Sequence, residues 1–244
     1  MKDHSLASKQ WPEILQKLRA RTPARLLQGH VGAAYRTFTQ LNLRQAHAAR
    51  DAVRDELNLE IQFGADFIKR WQLFEVCSKV TSKDEYLMQP TLGRVFSEAS
   101  RSKLQSSCTQ RNDLQIAIGD GLSITATHMQ VPKLLPLLHA GAKARGWRIG
   151  EIFVIRHCRV GILNEIGELL APAVAVLLIG ERPGLATAES LSAYMAYRPQ
   201  RTHTDANRNL ISNIHDRGIS PAEATDRILT LAARMMKVGL SGSR

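Results

Sequence analysis

The sequence predicts an α/β fold: a Rossmann-like parallel sheet with helices on both faces, preceded by a mainly helical N-terminal region. Two observations lead to this prediction. After residue 110, three short apolar segments alternate with helical segments, as expected when parallel strands are joined by crossover helices. Before residue 110, apolar residues recur instead at helical spacing. We therefore predict two domains in the 244-residue chain, residues 1–110 and residues 111–244.

The N-terminal part contains three segments with helical patterns. Residues 11–18 have the apolar spacing of a short amphipathic helix. Thr22 followed by Pro23 is typical of a helix start, because the hydroxyl can cap the helix and proline fits its first turn. Residues 42–57 form the clearest pattern, with apolar side chains on one face and charged ones on the other.

The second part alternates strands with helices. The predicted strands are 113–118, 149–155 and 173–179. The predicted helices are 132–145, 164–170 and 220–238. The last of these opens with a capping-box pattern, Ser220-Pro-Ala-Glu223, and ends before Gly239.

Three loops follow the predicted strands: 120–123, 156–160 and 180–184. In an open parallel sheet, ligands bind outside the carboxyl ends of the strands, where loop amides and helix N-termini converge. Each loop alone is typical of an ordinary turn with glycines and solvated charges. The three together favour a binding edge.

The chain is strongly basic, with 33 Lys and Arg against 22 Asp and Glu, a net charge of +11. This charge raises the alternative of a basic RNA-binding module. The cations are dispersed, however, and the densest segment, 17–21, is short. An acidic partner or a phosphate-bearing cofactor explains the charge equally well, and we predict no nucleic-acid partner.

Cysteine content and hydropathy indicate the compartment. The three cysteines, Cys77, Cys108 and Cys158, are odd in number and far apart, so we expect no disulfide framework and a reducing cytosol. The longest apolar stretch, 171–180, is too short to span a bilayer, and the N-terminus lacks a secretory signal. We therefore predict a cytoplasmic protein without a membrane partner.

The chain lacks the common catalytic motifs. The chain has no G-x-G-x-x-G after its first strand, no phosphate-binding loop, no G-x-S-x-G and no H-E-x-x-H. Residues 213–218 imitate the D-x-H-x-x-G pattern of cobalt-ligating histidines, but Asn213 replaces the aspartate, which favours an ordinary loop histidine at His215. A stand-alone Rossmann-like nucleotide-binding enzyme remains an alternative. We predict no catalytic residue and no metal ligand.

Several longer motifs occur together in the chain. In the second part they are DGLS (120–123), RHCRV (156–160), NEIGELL (164–170), LIGERPGL (178–185), ESLSAY (189–194) and ISNIH (211–215). In the first part they are TPARLLQGHVG (22–32), AHAARDAV (46–53) and PTLGR (90–94). This combination resembles the small subunit of ethanolamine ammonia-lyase over roughly residues 22–242.

The resemblance implies a function in ethanolamine degradation. Members of this family belong to a lyase that converts ethanolamine to acetaldehyde and ammonia with adenosylcobalamin as cofactor. It implies that the substrate site lies in a large catalytic subunit, and that the small subunit is non-catalytic and helps to hold the cofactor, with its cobalt, at the interface. A hetero-oligomer of several large–small pairs is implied. Some relatives work inside a bacterial microcompartment; here the first twenty residues could serve as an address or pack on the protein.

The resemblance also assigns cofactor-binding residues. The family's cobalamin-contacting positions correspond to Val160, Glu181 and Leu210, the last of which is commonly cysteine. Two further positions depart from the family pattern: His30 replaces an arginine and Thr91 replaces an aspartate. Val160 and Glu181 lie in two of the three loops that the strand-end rule selects.

Overall fold

The computed structural model describes residues 12–21, 30–37, 39–41, 43–44, 56–183 and 188–242. The strands are β1 His30–Val31, β2 Ala34–Tyr35, β3 Phe74–Cys77, β4 Leu114–Gly119, β5 Phe153–Arg156, β6 Val174–Gly180, β7 Leu191–Tyr197 and β8 Asn209–Ile214. The α-helices are α1 Glu13–Arg21, α2 Leu59–Trp71, α3 Lys83–Met88, α4 Glu98–Ser107, α5 Ile124–Ala144, α6 Leu163–Leu170 and α7 Pro221–Val238. None of the helices in these ranges is long and apolar enough to cross a membrane.

In the described part of the chain, six strands form one sheet in the order β3-β5-β4-β6-β7-β8. The pairs β3–β5, β5–β4 and β4–β6 are parallel, whereas β6–β7 and β7–β8 are antiparallel. The prediction of a parallel sheet was therefore wrong in part, because β7 runs against its neighbours. The physical reason is the short connection 181–190, since a parallel strand needs a long crossover.

The sheet is covered on both faces, as predicted. One apolar cluster packs α2, α5 and α7 against alternate residues of the sheet. A second cluster packs α4 and α6 against the opposite face. Every residue of β4 and β6 is buried, which is why the two strands are continuously apolar rather than alternating.

The helix α5 begins eight residues earlier than predicted, at Ile124 instead of residue 132. Ser123 caps it by accepting a hydrogen bond from the backbone N–H of Ala126. Pro132, taken as the start of the helix, lies inside it instead. The final helix is confirmed, with Ser220 as its N-cap.

Among its described residues, the N-terminal part is helical only in places. The short helix predicted over 11–18 is confirmed as α1, whereas the start at Thr22 and most of the segment 42–57 lie outside the described residues. The strand β3 also belongs to this part and pairs with β5 in the main sheet. This strand was not predicted. The division into two domains stays a prediction.

Candidate functional site

The three predicted loops meet at one edge of the sheet. They follow β5, β4 and β6, which are adjacent and parallel, so their carboxyl ends lie side by side. A cleft of about 190 Å³ opens there. Its lining residues are Tyr86, Gly121, Leu122, Cys158, Arg159, Val160, Ile179, Gly180, Glu181, Arg182, Ser192 and Tyr194. The three loops that the strand-end rule selected therefore border one cleft. Gly184, the last residue of the third loop, lies outside the described residues.

Two of the three predicted site residues line this cleft. Val160 is half-buried and begins the 3₁₀ turn Val160–Ile162 after β5. Glu181 follows β6 directly. Leu210 does not line the cleft; it lies on β8, 48% exposed, opposite Tyr194 in the register. Directly paired residues share a face of the sheet, so Leu210 continues the surface that Tyr194 contributes to the cleft.

The carboxylate of Glu181 is held by three donors from its own chain. The hydroxyls of Ser190 and Ser192 donate to it at 2.6 and 2.5 Å, and the backbone N–H of Asn213 at 3.0 Å. These bonds tie the end of β6 to β7 and β8. They fix the carboxylate in place as a hydrogen-bond acceptor, with room for one more donor on the oxygen bound to Ser190.

Asp120 is fully buried beneath the cleft and shapes the neighbouring turn. Its two carboxylate oxygens accept hydrogen bonds from the backbone N–H groups of His157 and Cys158, at 2.7 and 2.8 Å. Burial raises the pKa of the Asp120 carboxyl, although nearby Lys83 and the two backbone donors act in the opposite direction. Asp120 is thus a structural anchor for the loop that carries Val160, rather than a solvated turn residue.

The same turn is held from the other side by Tyr86, a fully buried residue of α3. Its hydroxyl donates to the carbonyl oxygen of Cys158 at 2.8 Å. The guanidinium of Arg159 lies over its ring, 4.0 Å from the centroid, and donates to its carbonyl oxygen at 2.9 Å. Burial raises the pKa of the Tyr86 hydroxyl well above its ordinary value, so it remains a donor. Nothing in the sequence linked Tyr86 to this site, because 70 residues separate it from the turn.

His157 adopts a left-handed backbone conformation, φ 55°, at the centre of this turn. Its carbonyl oxygen accepts from the Ser78 hydroxyl at 2.9 Å. The imidazole is buried, and neither ring nitrogen has a hydrogen-bond partner among the described residues. A strained non-glycine residue persists only where its surroundings enforce it, and here Asp120 and Ser78 do so.

The glycine of the first loop, Gly121, serves the packing of the protein itself. Gly121 has φ 59°, and a Cβ at this position would collide with the carbonyl oxygen of Gly180. The backbone N–H of Leu122 donates to that same oxygen at 3.1 Å. Gly121 is thus explained by close approach to β6, and not by the close approach to a pyrophosphate that the glycines of a dinucleotide fold permit.

The histidine pattern at residues 213–218 is a structural turn. The Nδ1 atom of His215 accepts from the backbone N–H of Arg217 at 3.2 Å, so Nε2 carries the proton and donates to the Asn213 side chain at 2.8 Å. The ring is 2% exposed. Both nitrogens are occupied, which supports the interpretation as an ordinary loop histidine. In the described residues, no three His, Cys, Asp or Glu side chains are grouped as a metal site would require.

The fold and the cleft define an α/β protein with a binding-type cleft at the carboxyl ends of its parallel strands. Residues 12–244 match the family Ethanolamine ammonia-lyase light chain (EutC). The chain therefore belongs to the ethanolamine ammonia-lyase light chain family, as the motifs predicted.

Individual relatives agree with this assignment. A protein of Clostridium perfringens named ethanolamine ammonia-lyase small subunit is 40% identical over 231 residues, covering 94% of this chain and 76% of the relative. A protein of Clostridium acetobutylicum with the same name is 37% identical, covering 94% and 93%. One from Listeria monocytogenes, also so named, is 39% identical over 227 residues, covering 93% and 75%.

Proposed function

We propose that this chain is the small subunit of an adenosylcobalamin-dependent ethanolamine ammonia-lyase, and that it supplies part of the cofactor site at the interface with a large catalytic subunit. The enzyme would convert ethanolamine to acetaldehyde and ammonia in ethanolamine degradation. One observation carries the proposal: Val160 and Glu181, from two separate loops, line a single cleft at the carboxyl ends of the parallel strands.

The size of the cleft supports a cofactor site that this chain shares with a second subunit. Small-molecule sites usually enclose about 300–1,000 Å³, and a cobalamin is larger than most ligands in that range. A cleft of about 190 Å³ can receive only one edge of it. The rest of the cofactor needs a second surface, which fits a role at the interface with a large subunit.

The chemistry of the lining also suits a corrinoid, a broad apolar plate edged with amides and carrying a phosphate-linked tail. Leu122, Val160 and Ile179 offer apolar contact, and the fixed Glu181 carboxylate can accept from an amide N–H at the edge. The exposed Arg182 offers donors to a carbonyl or phosphate oxygen. When bound, adenosylcobalamin supplies the radical that abstracts hydrogen from the substrate.

The part played by this chain is binding and orientation. We assign cofactor-binding roles to Val160, Glu181 and Leu210, and neither a catalytic residue nor a metal ligand. Leu210 extends the lining surface beyond Tyr194 on β8, so its exposed side chain is placed for a packing contact that needs no thiol. The carboxylate of Glu181 is engaged by its three donors, which suits an acceptor better than a general base.

The proposal includes a hetero-oligomer of several large–small pairs working in the cytoplasm. Co-purification of the chain with a large partner subunit, with and without cobalamin, tests the assembly. Targeting to a microcompartment depends on the first twenty residues, of which residues 1–11 lie outside the described part, and it stays a prediction.

Replacing Val160 tests the cofactor role directly. In the assembled enzyme, V160W fills the cleft, and we expect cobalamin to be retained at least about tenfold less tightly, the equivalent of 1.4 kcal/mol. Retention is measured from the cobalamin absorbance that remains after gel filtration, alongside turnover of ethanolamine.

The matched control is V238W, because Val238 is 62% exposed on α7, outside the cleft. V160A provides a milder variant if V160W fails to assemble, and it should weaken retention less. Unchanged cofactor affinity and turnover in V160W, with intact assembly, would contradict the proposal.

A further inference from the structure

A second cavity, of about 490 Å³, lies at the other end of the strands, where the parallel strands begin. Four turns form its walls: 111–113 before β4, Arg148 before β5, 171–173 between α6 and β6, and 198–200 after β7. Because β7 is antiparallel to β6, its carboxyl end meets the amino ends of the other strands here. The cavity has the volume of a small-molecule site, about 300–1,000 Å³.

Backbone hydrogen bonds join these turns to one another. The N–H of Arg111 donates to Leu170 at 2.8 Å, and the N–H of Ala173 donates to Asn112 at 2.8 Å. The N–H of Arg198 donates in turn to Ala173 at 3.0 Å. The walls are therefore set by the main chain rather than by mobile side chains, so the cavity is preformed.

Backbone strain is concentrated at this cavity. Six non-glycine residues in the described part have positive φ, and three of them line it: Arg111 at 56°, Ala171 at 47° and Arg198 at 39°. Residues in this conformation are uncommon and cost free energy, and they cluster at ligand and active sites. Two of the three, Arg111 and Arg198, are arginines, whereas Ala171 is the left-handed C-cap of α6.

The cavity carries an excess of positive charge, with three arginines against one aspartate. The guanidinium of Arg148 is paired with Asp113 at 3.6 Å and donates to the carbonyl oxygen of Arg111 at 2.8 Å. Within the described residues, no carboxylate lies within ion-pair distance of Arg111 or Arg198. The Arg198 guanidinium lies over the ring of Tyr197, 5.4 Å from its centroid, a contact that leaves its N–H groups without an acceptor among the described residues. Both guanidinium groups therefore keep donors for a ligand.

We infer that this cavity is a second binding site, which takes a small molecule bearing a phosphate or carboxylate group. The planar guanidinium fork matches the oxygens of either group and binds them through paired hydrogen bonds. Arg148, paired with Asp113 and bound to the carbonyl oxygen of Arg111, adds a third cation. The inference is independent of the cofactor role, because the two sites lie at opposite ends of the strands and share no lining residue.

Titration of the full isotope-labelled chain tests the site. Inorganic phosphate and, separately, citrate are added at constant ionic strength, and amide chemical shifts are followed. We expect saturable shifts at residues 111–113, 171–173 and 198–200. The double variant R111Q/R198Q should weaken binding at least about tenfold, because it removes the two guanidinium groups that have no carboxylate partner among the described residues. Tighter binding of phosphate or of citrate tells which group the ligand carries.

The control R227Q/R234Q removes the same charge from exposed positions on α7 and should change the affinity less than twofold. Equal weakening by the control, shifts spread over the whole surface, or no saturation with either anion would overturn the inference. Steeply salt-dependent binding of a single-stranded oligonucleotide, lost in R111Q/R198Q, would also overturn it and assign these arginines to nucleic acid.

Discussion

The parallel strands have a cleft at each end: the first cleft lies at their carboxyl ends (the carboxyl edge) and the second cavity at their amino ends (the amino edge). Polar side chains have different roles at these two edges. At the carboxyl edge, Asp120 and Glu181 are engaged by donors from their own chain, and Arg159 is bound to Tyr86. The two carboxylates of the carboxyl edge hold its loops in shape, although Arg182 there is exposed. At the amino edge, Arg148 is paired with Asp113, but Arg111 and Arg198 have no carboxylate partner within the described residues.

This difference separates two kinds of binding surface. A shaped edge with satisfied polar groups suits a large ligand that a partner surface must cover, since affinity comes from complementarity and preorganisation. A preformed cavity with free cations suits a small charged ligand held by charge-assisted hydrogen bonds. The three predictions below test this comparison, and the first two use a matched position elsewhere in the chain.

Gly121→Ala should have the largest effect. The added Cβ would collide with the Gly180 carbonyl oxygen and would also force alanine into a left-handed conformation. Overpacking and the unfavourable φ together should cost about 3–5 kcal/mol of unfolding free energy. Gly146, before the amino edge, also has positive φ, 72°, but nothing lies within 4 Å of its Cβ position. G146A should therefore cost only about 1–2 kcal/mol.

Urea denaturation of both variants measures these values. Equal destabilisation by the two substitutions would show that the close approach of Gly121 to β6 does not constrain the carboxyl edge.

Asp120→Ala should have the next largest effect. It leaves the backbone N–H groups of His157 and Cys158 buried without an acceptor, which should cost about 2–4 kcal/mol. The turn that carries Val160 should lose its shape, so the assembled enzyme should also retain less cobalamin at temperatures where the variant is folded. Denaturation and cofactor retention are measured together.

Asp120→Asn should lie between D120A and the wild type, because its one carbonyl oxygen still accepts. The exposed Asp226 on α7 is the control, and D226A should change stability by less than about 0.5 kcal/mol. A D120A variant with normal stability and normal retention would show that the anchor is dispensable.

The smallest expected effect concerns the two buried thiols. Burial raises the pKa of Cys108, which precedes the amino-edge cavity, to about 12, and burial together with Asp120 raises the pKa of Cys158 well above its ordinary value. Because only the thiolate is nucleophilic, iodoacetamide at pH 9 should alkylate both thiols slowly. Cys158 should react more slowly than Cys108, because it is 0% exposed against 8%. Timed alkylation followed by peptide mass spectrometry gives both rates.

The raised pKa values of the thiols also determine how the free energy of unfolding depends on pH. The folded chain holds these thiol protons more tightly than the unfolded chain, whose thiols titrate near 9.0. The contribution of Cys108 to stability is thus intact below pH 9 and falls as pH rises towards 12. Faster alkylation of Cys158 than of Cys108 would show that its turn opens more readily than the structure indicates.

Much of the α/β part follows from local pattern. The strands β4 and β6 were predicted to within one residue at each end, because each is a short apolar run that ends at a glycine. The strand β7 was missed, although its period of two was visible. Ser190, Ser192 and Tyr194 alternate with apolar residues, which places the polar ones on the face that Glu181 and the cleft occupy.

Other features had no signal in the sequence. Tyr86 contacts the turn after β5 from a helix 70 residues earlier, and the arginines of the second cavity are dispersed between residues 111 and 198. The buried state of Asp120 was also not predictable, because an aspartate between glycines is usually exposed in a turn.

The sequence by itself determined the family, the parallel core and the edge at which Val160 and Glu181 lie, because motif, hydrophobic run and strand-end glycine are all local properties of the chain. Only the tertiary structure decided which polar groups are hydrogen-bonded within the chain and which arginines have no carboxylate partner among the described residues. That outcome depends on hydrogen bonds and burial between segments far apart in the chain, and spacing along the sequence does not encode such distances.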